Sequence, residues 1–317
     1  MRRLSILILI ITTLNCYNIN DYKNLYDNKG FTLIEALFNV NSARAPFVNI
    51  FKELSTPPFQ GRRYHSITVL NNKLFFSGGE NISDVWASEN GITWVQKNSN
   101  AFGKVSYHKI VAFKGDLYAS VNGRIWKSTD EGVSWTNIST QSSGYCLFTF
   151  SDKLYISYAY IAYYDTQQGF YQSDDGVTWT LLSSNYGTSC TTSYNYIYYI
   201  NNYNLYRSSD GITNTNISLP LDQFGRTISS TTAFFYVNNN LYILSDYGNL
   251  SVYNETNKWK TYSTNITTVL NLRGSDGGTN VVGILPYKDL IIISLYDNGI
   301  GGYKNRLFSV KISDLPK

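Results

Sequence analysis

The sequence predicts an all-β protein, a β-propeller of six four-stranded antiparallel blades, with seven blades as the alternative count. Three observations lead there. A phrase ending in Trp returns at about 40-residue intervals, a Leu-Tyr strand following a polar turn returns six times, and the composition suits sheets. Charged residues make up only 15% of the 317, while aromatics reach 16% with 28 Tyr. Such poverty of charge with many polar aromatics fits an all-β chain.

The phrase reads Ser88-Glu-Asn-Gly-Ile-Thr-Trp94, Ser128-Thr-Asp-Glu-Gly-Val-Ser-Trp135, Ser173-Asp-Asp-Gly-Val-Thr-Trp179 and, in a worn copy, Ser208-Ser-Asp-Gly-Ile-Thr-Asn214. The tryptophans lie 41 and 44 residues apart, with Asn214 a further 35 on. Gly accepts a positive φ that other residues resist, so Gly91, Gly132, Gly176 and Gly211 mark tight turns. Ser88, Ser128, Ser173 and Ser208, with Asn90, Asp130, Asp175 and Asp210, are placed to hydrogen-bond the turn amides. Trp94, Trp135 and Trp179 are too large and apolar for water and are expected between neighbouring sheets.

The second recurrence runs Leu74, Leu117, Leu154, Ile197, Leu241 and Leu290, each after an apolar strand and a polar turn. Every unit therefore reads as strand, turn, Leu-Tyr strand, third strand, Trp phrase and fourth strand, which is a propeller blade. The sixth unit ends too soon for its fourth strand. Residues 46–54 alternate suitably and are expected to close that last blade from the other end of the chain.

The phrase resembles the Asp-box (bacterial neuraminidase) repeat, Ser-x-Asp-x-Gly-x-Thr-Trp and its one-residue-shorter form. Ser128 to Trp135 matches the longer form with Ser134 for Thr, and the Ser88 copy carries Asn90 for Asp. The resemblance implies a propeller with these turns on the outer edge of its blades, away from any active site. It does not by itself imply a sialidase. The first unit, with Gly61-Arg62-Arg63-Tyr64-His65 and Gly78-Gly79, also resembles a kelch repeat, again a propeller.

Residues 1–16 read as an export signal: Arg2-Arg3, an apolar stretch from Leu4 to Leu14, then Cys16. The Cys after so short an apolar run resembles a bacterial lipoprotein signal, which implies lipidation at Cys16 and membrane attachment through the lipid. Residues 17–42 are expected to be a tether and 43–317 the propeller. Lys29-Gly-Phe-Thr-Leu-Ile-Glu35 resembles a prepilin cleavage site, but Asn39, Asn41 and Pro46 interrupt the apolar helix a pilin needs.

Cys146 and Cys190 are expected to be free buried thiols. Aligned on the second strands, they differ by one residue and so point to opposite faces of the pleat. The chain is thus placed outside the cytoplasm without a disulfide being assigned.

Chemistry is sought at the mouth of the central channel. Nine residues before each blade's Leu or Ile stand His65, His108, Tyr145, Thr188, Thr232 and Val281. Both histidines of the chain thus occupy equivalent positions in adjacent blades, a candidate channel site with Tyr145. Copying of blades also explains the pair without any function. No carboxylate or thiol completes a ligand set there, so neither metal nor cofactor is expected.

A sialidase-like glycoside hydrolase is the alternative reading, since Arg44-Ala45-Pro46 partly matches that family's Arg-Ile-Pro. It would need three converging arginines, and Arg44, Arg63, Arg226 and Arg273 are the candidates. The formal charge of +4 is too small an excess for nucleic-acid binding. Blade 3 carries a Tyr-rich insert over residues 158–169, a candidate binding loop. The expected function is non-catalytic binding of a protein or glycan partner at the cell envelope.

Overall fold

The computed structural model describes residues 46–103, 108–141, 144, 146–158, 168–202, 204–221, 231–245, 249–256, 258–265, 280–297 and 304–317. All of them belong to one compact unit, Ala45–Lys317.

Two strands precede the wheel: β1 (Phe47–Val48) and β2 (Lys52–Ser55). Blade 1 comprises β3 (Ser66–Leu70), β4 (Lys73–Gly79), β5 (Ile82–Ser88) and β6 (Val95–Asn98). Blade 2 follows with β7 (His108–Phe113), β8 (Asp116–Val121), β9 (Arg124–Ser128) and β10 (Thr136–Ser139). Blade 3 is β11 (Cys146–Phe150), β12 (Lys153–Tyr158), β13 (Gly169–Ser173) and β14 (Thr180–Ser183). Blade 4 is β15 (Ser189–Thr192), β16 (Ile197–Asn201), β17 (Asn204–Ser208) and β18 (Thr215–Ile217). Blade 5 is β19 (Thr231–Val237), β20 (Asn240–Ser245), β21 (Asn249–Asn254) and β22 (Lys258–Thr264). Blade 6 is β23 (Asn280–Tyr287), β24 (Leu290–Asp297) and β25 (Lys304–Lys311).

Each blade is an antiparallel meander, and the innermost strands touch in the cyclic order β3, β7, β11, β15, β19, β23 and back to β3. The protein is a six-bladed β-propeller. Blade 6 takes its outer strand from β2, which pairs antiparallel with β25 through Lys52↔Ser309 and Glu53↔Phe308. Arg306 grips Glu53 there with Nε at 2.9 Å and Nη2 at 2.7 Å. The segment read as a single closing strand is in fact divided. Its first part, β1, runs parallel to β22 and gives blade 5 a fifth strand.

The core is six seams, one between each pair of blades. Strands alternate their side chains between faces, so each blade packs one face forward and one backward. Seam 1–2 joins Phe75 and Val85 to Ile110 and Leu117, and seam 3–4 joins Phe148 and Phe170 to Ile197 and Tyr199. Seam 6–1 closes the circle with Ile292 and Leu307 against Ile67, Phe76 and Trp94.

Cys146 and Cys190 form a disulfide across seam 3–4, with Cα atoms 5.9 Å apart. The expectation of free thiols is therefore wrong, and the geometry says why. Cys146 opposes Ser157 and Cys190 opposes Tyr199, so the one-residue offset between the blades is real. Neighbouring blades meet through opposite faces, however. The forward face of blade 3 looks at the backward face of blade 4, so opposite orientation brings the sulfurs together.

Candidate functional site

Three places hold the residues singled out by the sequence or by the open surface: the perimeter turns, the hub and a cleft among the inner turns.

At the perimeter, the four Ser-Asp-Gly phrases link the third and fourth strands of blades 1–4. Ser88, Ser128 and Ser173 each accept the N–H of Gly91, Gly132 and Gly176 at 2.8 Å, and Ser208 accepts that of Gly211 at 2.9 Å. Each hydroxyl donates in turn to Asn90, Asp130, Asp175 or Asp210. The amides of Thr178 and Val177 hold the Asp175 carboxyl below its ordinary range, and those of Ile212 and Thr213 do the same for Asp210. Trp94, Trp135 and Trp179 donate their indole N–H to the turn carbonyls of Gly91, Gly132 and Gly176 at 3.2, 3.1 and 3.0 Å.

Each turn also latches onto the preceding blade. Ser55 of β2 donates to Gly91 O at 2.6 Å, Asn98 to Val133 O at 2.8 Å and Ser183 to Gly211 O at 2.8 Å. Gly176, at φ +80°, lies so close that a Cβ would stand 2.7 Å from the Tyr118 ring of blade 2. In the fourth copy Asn214 replaces the indole and accepts the Tyr199 hydroxyl at 2.5 Å.

At the hub, His65 and His108 face different seams and so do not converge on one ligand. His65 is fully buried at seam 6–1, stacked 4.3 Å from Phe76. Its Nδ1 donates to Arg62 O at 3.1 Å, and its Nε2 accepts the Ser294 hydroxyl at 2.5 Å. His108 is buried at seam 1–2 against Gly78, and neither ring nitrogen makes a hydrogen bond of normal geometry. The nearby backbone of Ser77 and Tyr64 favours its charged form slightly, but burial outweighs this and pushes the ring down to about 3. Burial likewise takes His65 down to about 3, so both rings are neutral near pH 7. Lys109, beside them, is also lowered by burial.

Beside His65, the Arg62 guanidinium is almost wholly buried and pairs with Asp84 through both nitrogens. It also donates to Gln60 O at 2.9 Å and Gly78 O at 3.2 Å, and lies over the Phe59 ring. Arg63 donates to the Tyr296 hydroxyl at 2.9 Å. Among the described residues, no group of three or more His, Cys, Asp or Glu is placed to hold a metal ion. Cys16, Arg44, Tyr145, Arg226, Arg273 and most of the Tyr-rich insert lie outside the described residues.

The cleft lies where the inner hairpin turns of blades 2, 3 and 4 meet, with a volume of about 750 Å³. Phe113 and Lys114 of blade 2, Ser151 and Asp152 of blade 3, and Tyr194 and Asn195 of blade 4 line it. In blades 1, 2, 3, 5 and 6 two residues separate these strands. In blade 4 Thr192 pairs with Ile197, which leaves four residues in the turn. Ser193 ties the extension down, accepting the Tyr196 N–H at 2.9 Å, and Tyr194 stands 94% exposed. This cleft and the Arg62–Asp84 pair were both missed in the sequence. The signal for the cleft was the four-residue polar turn where the repeat allows two.

The comparisons agree with the architecture. A family model described as the DUF6242 beta propeller domain matches residues 52–184, which runs from β2 to the end of β14. Among solved structures, YjhT is similar at a TM-score of 0.58 and 11% identity, over 80% of this chain and 95% of that one. PorZ, a surface component of the type-IX secretion system of Porphyromonas gingivalis, is similar at a TM-score of 0.45 and 12% identity, over 81% and 39%. Zg3597, a family 117 glycoside hydrolase of Zobellia galactanivorans, gives 0.46 and 13%, over 87% and 94%. At these identities the likeness to YjhT speaks for the propeller fold alone, and the two weaker ones carry no argument. Among curated proteins, small ribosomal subunit protein uS8 of Borrelia hermsii is 35% identical over 80 residues, 25% of this chain. The chain covers 57% of that protein's length.

Proposed function

We propose that the chain is an exported, lipid-anchored propeller that binds a protein or glycan partner at the cell envelope without catalysing a reaction. The observation that carries this reading is how its polar groups are distributed. Three of the acid–base and cationic residues at the hub are tied into the seams by hydrogen bonds: His65 to Ser294, Arg62 to Asp84 and Arg63 to Tyr296. Arg207 and Arg306 are similarly engaged at the rim by Glu255 and Glu53. An open concave surface is instead lined mainly by hydroxyls, an amide and an exposed tyrosine, with one lysine and one aspartate, a mixture suited to contact. The Cys146–Cys190 bond supports an oxidising compartment, and Cys16 after an apolar run supports lipid attachment.

The test is a pull-down from native membranes with the tethered full chain, alongside a Cys16→Ser variant and a fluorogenic sialoside assay. The reading requires membrane association that depends on Cys16, a partner retained on the bait and no turnover. Hydrolysis of the sialoside would replace it with the glycoside hydrolase reading. A non-lipidated protein in the cytosolic fraction would remove the envelope role.

A further inference from the structure

We infer that the cleft among the inner turns of blades 2, 3 and 4 is a subsite for a neutral saccharide, with Tyr194 as its stacking platform. The inference rests on the binding role proposed above and assigns a ligand class to it.

The first ground is a break in the repeat. Blade-to-blade copying keeps features that serve the fold, and a loop lengthened in one blade alone serves something local. The two extra residues of the blade 4 turn place Tyr194 at the cleft. Nothing in the fold uses that side chain: it is 94% exposed and makes no ring contact or side-chain hydrogen bond among the described residues. An idle, fully hydrated aromatic face held on an anchored turn is well placed to meet a ligand's apolar face.

The second ground is the chemistry of the rim. Ser151, Asn195 and Ser209 offer hydroxyl and amide groups that both donate and accept. A pyranose ring has the matching character, with an apolar C–H face and an equator of hydroxyls. The two charged residues of the lining are of opposite sign, Lys114 and Asp152, so the cleft has no net charge. The Lys114 ammonium gives one of its three donors to Asp174 O at 3.0 Å and lies 4.8 Å from the Phe113 ring centroid. An acidic sugar or a phosphate therefore meets a single cation here, with the Asp152 carboxylate in the same lining.

A peptide partner is less well served. Peptide grooves use a row of unpaired strand groups or apolar pockets for side chains. The cleft is made of closed turns, and its aromatic floor residues Phe113 and Phe150 are themselves buried.

The experiment titrates the full chain with neutral oligosaccharides of four to six glucose, mannose, galactose or N-acetylglucosamine units. Binding is read by calorimetry and by tyrosine fluorescence. Binding of at least one of these is expected, weakened about tenfold or more in Tyr194→Ala and retained in Tyr194→Trp, which keeps the platform. Melting temperatures equal to the parent's would show that the turn variants fold. Absence of binding to every neutral oligosaccharide, binding unchanged in Tyr194→Ala, or binding confined to sialylated or phosphorylated glycans would each overturn the inference. A protein captured from membranes through Tyr194 would overturn the saccharide class. A protein captured independently of Tyr194, with no saccharide bound, would overturn this inference while leaving the proposed binding role standing.

Discussion

Cys146 and Cys190 are joined across the one seam where a Ser-Asp-Gly turn lacks its indole. Trp94, Trp135 and Trp179 each fill the seam behind their own blade, while the fourth copy offers only Asn214 to seam 3–4. A covalent bond between the inner strands secures the place where aromatic packing at the rim is weaker.

The bond closes a loop of 44 residues, for which chain entropy corresponds to about 4 kcal/mol. Guanidinium unfolding of the oxidised chain against a Cys146→Ala/Cys190→Ala double variant should show a loss of about 2–4 kcal/mol. Equal midpoints would mean that the seam's apolar cluster, with the half-buried Leu182 and Tyr206 packed against it, holds unaided.

The perimeter turns should behave as structural latches. Ser173→Ala leaves the buried Gly176 N–H unpaired and removes a donor to Asp175, at a cost of about 1–3 kcal/mol. Gly176→Ala imposes a left-handed φ on a side chain that also meets the Tyr118 ring, and should cost at least about 1–2 kcal/mol. Thermal unfolding measures both, and saccharide or partner binding should survive in whatever fraction folds.

Arg62→Ala should be among the most destabilising single changes. It abandons Asp84, a buried carboxylate whose other partner is the Trp86 indole at 2.8 Å, and should cost about 3–5 kcal/mol. Adding Asp84→Asn should recover part of that loss, because the remaining group is neutral. Denaturant midpoints of the two single variants and the double variant form the cycle that checks this coupling.

Acid should loosen the hub. His65 and His108 titrate near 6.5 when unfolded and are pushed down to about 3 by burial in the wheel. Above pH 6.5 both states are neutral and the rings contribute no pH dependence. As pH falls from 6.5 toward 3 the unfolded state binds protons that the folded state refuses. Stability should then drop by up to about 1.4 kcal/mol per pH unit for each ring. Urea midpoints between pH 7 and pH 4 measure the slope. A His65→Gln/His108→Gln variant should flatten it, and a slope unchanged in that variant would assign the effect to other groups.

The wheel was legible in the sequence because its turns have chemistry of their own. Gly91, Gly132, Gly176 and Gly211 advertise positive φ, and Leu74 through Leu290 mark each second strand, so blade number followed from counting. Long-range geometry was less legible. The parallel pairing of Phe47 and Val48 with Ser263 and Thr264 has no local sequence signal, because a two-residue edge strand shows no period. The sulfurs were misassigned through a correct register and a mistaken neighbour: facing sheets invert the rule that holds within one sheet. At the hub, the equivalence of His65 and His108 was visible, but the seam each ring enters depends on the partner blade. Arg62 and Asp84, 22 residues apart, carried no mark of their pairing.

β2 and β25 meet across some 250 residues of intervening chain. A strand from the beginning of the wheel thus waits for a mate from its end. Until β25 arrives, five blades stand as an open arc whose terminal sheet has a bare edge, and Glu53 waits without Arg306. Pairing of β2 with β25 is therefore the step that closes the ring, and a chain halted before that hairpin exposes an adhesive border that a folding helper would have to shield.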